Sequence, residues 1–330
     1  MLTVLGELVV DLLPDPAAGA GPEGTAPHFV ARPGGNALNV AVAAGRLGHP
    51  VHLLARFGTG PLAAGLRRHA ELAGVDLSGS VDSHDPVSLA VVGLGPDGSA
   101  AYGFHVLGAA DWQWTDAELA AGWPEGGTVL HVGSISSWTA PGCEAIAALA
   151  ERLHASGAAL VSVDPNIRSA LAEGFGNTAA DVRRRLDRLV AVADVVKVSA
   201  EDLAWLEPGS TDGPDALDAA AVRWAGRGPA VVLLTDGGAP LRVARPGHPL
   251  LRHTPPTVGV VDTVGAGDSL AAGFLTGLLD AGVADRAALE QVGDDVLTRV
   301  VGDAALVAAL CCTRTGADPP TRAELDAARD

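Results

Sequence analysis

Short apolar runs recur along the chain without the alternation that a half-solvated sheet requires. Residues 2–5, 51–55, 128–132, 159–163, 195–198 and 231–234 are rich in Val and Leu and almost uniformly apolar. Strands of that kind are buried on both faces, as in a parallel sheet between helix layers. Between them, residues 37–47, 62–73, 143–155, 179–191, 216–225 and 269–279 read as Ala-rich helices. The alternation predicts an α/β fold, a mostly parallel sheet flanked by helices on both sides.

Two regions break this rhythm. Residues 14–33 are rich in Gly, Pro and Ala, and 87–95 with 100–106 read as a hairpin turned by Pro96-Asp97-Gly98. Together, segments of about 14–33 and 86–112 predict a small β-flap standing off the main sheet, within a single domain over residues 1–330. Gly293 and Gly302 divide 286–313 into two expected helices. Residues 314–320 read as a loop and 322–329 as a terminal helix.

Composition narrows the function classes. A net charge of −17 with no basic stripe argues against a nucleic-acid partner. Cys143, Cys311 and Cys312 form neither a disulfide framework nor a zinc pattern, which suits a reducing cytoplasm. The first residues carry no signal-peptide core, and charges interrupt every long apolar run, so no membrane span is expected. Lys197 is the only lysine, in keeping with a general bias toward Ala, Gly and Arg.

Candidate chemistry concentrates at strand ends. Gly265-Ala266-Gly267 opens a helix, so its backbone N–H groups and the helix dipole can cradle an anion. Asp268 then sets a carboxylate beside that cradle, as phosphoryl transfer to a hydroxyl requires. Gly34 and Gly35 precede a helix whose first turn holds Asn39, an amide able to donate to and accept from a hydroxyl. Asn36 could instead simply cap that helix. Asp11 follows the first strand and is either a ligand for two sugar hydroxyls or a solvated loop residue.

Asp164-Pro165-Asn166-Ile167-Arg168 offers three polar side chains at alternate positions to one cleft, with Arg168 a planar partner for phosphate, or else a turn with a surface ion pair. Ser199 and Asp202 have the spacing of a capping box or, alternatively, a nucleotide and metal role. Thr235 and Gly238 belong to a nucleotide loop or a plain hairpin turn. Trp112 and Trp114 would line a sugar pocket or pack the hinge of the flap.

Together these residues resemble the ribokinase-like (PfkB) carbohydrate kinases. Residues 262–275 resemble that family's C-terminal signature and 33–48 its N-terminal glycine signature. The likeness runs from Gly6-Glu7 to Thr313-Arg314-Thr315-Gly316-Ala317. Asp164-Pro165-Asn166-Ile167-Arg168, and Tyr102-Gly103-Phe104 followed by Ala109-Ala110-Asp111, most resemble the bacterial fructokinase and 2-keto-3-deoxygluconate kinase branches.

The resemblance implies a Rossmann-like α/β domain with a small β-sheet lid. It implies ATP- and Mg2+-dependent phosphorylation of a primary sugar hydroxyl, of fructose first, then 2-keto-3-deoxygluconate or ribose. Asp268 would be the base, and the amides of Gly265, Ala266 and Gly267 the anion hole. Asp11, Gly34, Gly35 and Asn39 would hold the sugar, and Arg168 the phosphates or an acidic sugar. Ser199, Thr235 and Gly238 would meet the nucleotide, and Asp202 the metal through water. Activation by a monovalent cation such as K+ and dimerisation through the lid also occur in the family. Two positions depart from its pattern: Ser199-x-x-Asp202 replaces Asn-x-x-Glu, and the Thr235–Gly238 loop matches Thr-x-Gly imperfectly. A nucleoside kinase and a non-catalytic sugar-binding protein are the rival readings. A dinucleotide-dependent dehydrogenase lacks its glycine fingerprint after the first strand.

Overall fold

Fourteen strands occur among the described residues of the computed structural model, which are 1–15, 28–94 and 100–329. In chain order they are β1 (Leu2–Leu5), β2 (Val9–Pro14), β3 (Phe29–Gly34), β4 (Val51–Leu54), β5 (Arg56–Phe57), β6 (Val81–Asp82) and β7 (Ser88–Leu94). There follow β8 (Ala100–His105), β9 (Val129–Gly133), β10 (Leu160–Asp164), β11 (Val195–Ser199), β12 (Val231–Thr235), β13 (Leu241–Ala244) and β14 (Leu251–His253). The expected Pro96-Asp97-Gly98 turn and residues 16–27 of the expected flap lie outside the described residues.

The uniformly apolar runs become the main sheet, in the order β14-β13-β12-β11-β10-β9-β1-β4. From β12 to β4 all neighbours are parallel, and β13 and β14 add an antiparallel edge. Successive residues face opposite helix layers. Leu5 packs with the helices Gly142–Ser156 and Ala179–Val192, whereas Val4 packs with Asn36–Arg46 and Ala266–Asp280. Burial on both faces is why these strands carry no alternation. The chain leaves β1 toward β4 on one side and later fills β9 on the other. That reversal of strand order opens a crevice at the carboxyl ends, where α/β sheets bind ligands.

The small sheet has the order β3-β2-β7-β8. It begins earlier than the sequence suggested, and Asp11 is not a loop residue: it lies within β2, paired with Arg32 on one side and Ala90 on the other. Pairing partners on both sides turn Val9–Pro14 into an interior strand, and those partners come from distant sequence. Where the small sheet joins the main body, Leu8 N–H and Ser88 Oγ both donate to the buried Asp111, at 2.8 and 2.6 Å. Burial pushes the Asp111 carboxyl up to about 7, with the two hydrogen bonds opposing. Trp112 and Trp114 are buried at this junction, and Trp112 Nε1 donates to Val106 O at 2.7 Å, so they pack the hinge.

The 286–313 stretch divides at Gly293 only, giving the helices Arg286–Glu290 and Asp294–Cys312. Gly302 stays inside the second helix, where packing beside His253 overrides its weak propensity. The terminal helix is Arg322–Arg329. Among the described residues no helix is long and apolar enough to cross a membrane.

Candidate active site

The site assembles at the start of the buried Ala266–Asp280 helix. Gly265 is its N-cap at φ 77°, in the left-handed region. Asp262 shapes the loop before it, its carboxylate accepting from Val264 N–H at 3.1 Å and Gly316 N–H at 2.8 Å. The cradle is narrower than the sequence suggested. Ala266 N–H closes a turn onto Thr263 O at 3.2 Å, whereas Gly265 and Gly267 N–H meet no acceptor among the described residues. The Asp268 N–H is open as well, and open donors at the positive end of a helix suit a phosphoryl oxygen.

Asp268 follows within the first turn and is 7% exposed. Asn36 Nδ2 donates to its Oδ1 at 2.7 Å, and Asn39 Nδ2 to its Oδ2 at 2.8 Å. The two asparagines are three residues apart, hence on one face of the Asn36–Arg46 helix. Asn36 is therefore not the helix cap. That place belongs to Gly35 at φ 101°, and the Asn36 side chain reaches the carboxylate instead. Its Oδ1 is buried without a partner. Sequence reading singled out Asn39 and passed over Asn36, although their spacing carried the signal.

Gly34 makes room for Asp11, since a Cβ at 34 would overlap the Asp11 carboxylate. Burial pushes the Asp11 carboxyl up to about 6, against the attraction of Arg168. Arg168 is exposed at the start of the Ser169–Gly174 helix, so the small sheet and the main body each bring one charged side chain to this place. Asp164 of the same segment does not project with Arg168. Asp164 turns inward, fully buried, to Lys197 Nζ at 3.1 Å. Lys197, read from sequence as a compositional remnant, thus reaches the edge of the site.

At the end of β11, the capping reading of Ser199 holds. Ser199 Oγ accepts from Asp202 N–H at 3.0 Å, and Asp202 Oδ2 accepts from Ser199 N–H at 2.9 Å and Oγ at 2.6 Å. Asp202 Oδ1 accepts from Ile167 N–H at 2.6 Å, so both of its oxygens are engaged within the protein. Thr235 lies opposite Ser199 in the sheet register. Gly238 sits in the turn between β12 and β13, which Ala239 N–H closes onto Asp236 O. Val260, Val261 and Val264 leave an exposed apolar strip leading to the cradle, a feature the sequence reading did not single out.

Residues 1–324 match the family model described as "pfkB family carbohydrate kinase". The chain belongs to the pfkB family of carbohydrate kinases. It is 35% identical over 291 residues to a fructokinase of Klebsiella pneumoniae, covering 86% of each chain. A fructokinase of Xylella fastidiosa with bound ATP superposes with a TM-score of 0.83 at 28% identity, covering 99% of this chain and 97% of that one. A Vibrio cholerae fructokinase bound to fructose, ADP and calcium gives 0.77 at 27%, covering 99% and 98%. Membership makes this pfkB protein a sugar phosphotransferase, with an α/β fold and a separate small sheet.

Proposed function

We propose that the protein transfers the γ-phosphoryl group of ATP to a primary hydroxyl of fructose. The observation that carries this reading is Asp268, held between the Asn36 and Asn39 amides one turn from the open Gly265 and Gly267 donors. A proton acceptor beside a charge-stabilising cradle is what transfer of a phosphoryl group to a hydroxyl needs. Phosphoryl transfer passes through a loose transition state, so positioning and charge stabilisation supply most of the rate. Asp268 orients the hydroxyl and accepts its proton late. The two amides meet charge spreading over the phosphoryl oxygens. Asp11 and Asn39 hold the sugar, the lid excludes water, and Ser199, Thr235 and Gly238 flank the nucleotide.

No cluster of three or more His, Cys, Asp or Glu placed to hold a metal occurs among the described residues. Asp164 feels the charges of both Asp202 and Asp268 but is committed to Lys197, so Asp202 and Asp268 are the carboxylates left as the oxygen donors that a hard divalent cation takes. Mg2+ carried on the ATP phosphates fits there, with Asp202 reaching it through water. When bound, it would neutralise β- and γ-phosphate oxygens. A monovalent cation such as K+ belongs to the same reading, with no residues assigned to it. So do a cytoplasmic location, supported by three free cysteines, and pairing of two copies through the lid, supported by the exposed Phe29.

ADP release on fructose, 2-keto-3-deoxygluconate, ribose and adenosine tests the reading. Fructose is expected to show the highest kcat/KM. Arg168 beside Asp11 favours the acidic keto-sugar as runner-up. Tight sugar binding without ADP release on any of the four would instead mark a binding protein.

Asp11 gives a pH signature. Its carboxyl titrates near 6, so acid removes an acceptor of sugar hydroxyls. KM for sugar is expected to rise as pH falls from 7.5 to 5.5, while kcat changes less. In Asp11→Asn the KM is raised throughout and this pH slope is absent. A slope retained in Asp11→Asn would assign it to another group.

A further inference from the structure

Lys197 is the only lysine of the chain and is 6% exposed. It occupies the centre of β11, opposite Leu233 of β12 and beside Asp164 at the end of β10. Its Nζ donates to both oxygens of Asp164, at 3.1 and 3.3 Å. A Cβ built on Gly267 would lie 2.9 Å from the same Nζ. The ammonium therefore packs against Gly267, whose amide is one of the open donors of the cradle.

The charged and titratable groups around it come from four elements. They are Asp164 of β10, Asp202 of the Ala200–Leu206 helix, Asp268 of the Ala266–Asp280 helix and His131 of β9. His131 is held neutral, its pKa lowered to about 3 by burial and then by Lys197. Burial opposes the charge on Lys197, but Asp164, Asp202 and Asp268 outweigh it and raise its pKa. One cation thus serves three carboxylates at the place where phosphate charge must arrive. A buried ion pair is a poor device for stability alone, because neutral groups of similar volume often serve as well.

We propose that Lys197 is a positioning residue for phosphoryl transfer: fixed by Asp164 against Gly267, its ammonium sets the potential of the anion cradle and offsets the three surrounding carboxylates. The proposal rests on the phosphoryl-transfer reading above. Gly267 then has two tasks, presenting its amide to the phosphoryl group and leaving space for the ammonium.

The test compares Lys197→Met, Asp164→Asn and the double variant in the full chain, by sugar-dependent ADP release, pH–rate profile and thermal melting. Lys197→Met is expected to lower kcat at least about tenfold, less than the loss of a direct oxyanion donor. Sugar KM should stay within about twofold, because uniform binding is untouched. The acid limb of the kcat profile moves to higher pH, since carboxylates without the cation are harder to ionise. Asp164→Asn still offers an oxygen to the ammonium and loses less kcat than Lys197→Met. The double variant replaces the pair by neutral groups, recovers melting temperature relative to Lys197→Met, and keeps the low kcat.

A double variant with wild-type kcat and stability would reduce the pair to a packing element. Equal losses in the two single variants, with no movement of the acid limb, would do the same even if the double variant did not fold. A wild-type protein lacking sugar-dependent ADP release would overturn the phosphoryl-transfer reading itself, and this inference with it.

Discussion

Asp268→Asn is expected to lower turnover at least about 100-fold while leaving the fold in place, as loss of a positioned base does. The substitution is nearly isosteric, so the Ala266–Asp280 helix and its packing do not change. What changes is one atom's chemistry. The carboxylate accepts from Asn36 at one oxygen and from Asn39 at the other. An amide in its place keeps one acceptor and turns a second donor toward a donor. Asn36 can absorb that conflict, because its own Oδ1 is buried without a partner and a flip of its amide would present it. The variant therefore folds, holds sugar and cannot take the hydroxyl proton. Steady-state ADP release alongside a melting curve checks this. A kcat near wild type with an unchanged melting temperature would remove Asp268 as the base and leave the Gly265 and Gly267 amides as the whole of the catalytic apparatus.

What could be read from the sequence follows the range of the interactions involved. The parallel strands were legible because burial on both faces leaves an uninterrupted apolar run, and β1, β4 and β9 to β12 show it. The Ser199–Asp202 capping box was legible because its hydrogen bonds close over three residues. The Gly265–Asp268 run was legible because a helix start is a local event. Lys197 was not, since its partner Asp164 is 33 positions away and only the sheet register brings them together. Asp11 looked like a loop residue because its strand neighbours Arg32 and Ala90 are far along the chain. Asn36 reads locally only as a helix cap, and its contact with Asp268, 232 positions away, is what the local pattern could not show. Long-range electrostatics and pairing within the small sheet are thus the parts of the site that only the three-dimensional structure supplies.

Gly265→Ala should separate the anion cradle from general stability. At φ 77° an L side chain costs about 1–2 kcal/mol through the left-handed backbone alone. The new Cβ would also fall 2.6 Å from Ala317 Cβ and 2.9 Å from Ala317 Cα, so the loop must move away from the 313–317 tail. That movement carries the Gly265 and Gly267 amides with it. Displacing a donor by about 1 Å costs roughly 100-fold in rate, and loss of one oxyanion donor roughly 100- to 1000-fold. The expected result is a kcat reduced about 100-fold, with a melting temperature lowered by roughly 2–4 °C for a chain of this size. Gly48→Ala is the matched control. Gly48 sits at φ 80° with nothing within 4 Å of a Cβ, in the loop after the Asn36–Arg46 helix. It carries the same backbone strain without the clash, so it should cost similar stability and leave kcat within about twofold. If both variants lose kcat alike, the loss reflects strain and not the cradle. If Gly265→Ala keeps its kcat, the phosphoryl group is stabilised elsewhere, and the ammonium of Lys197 becomes the first place to look.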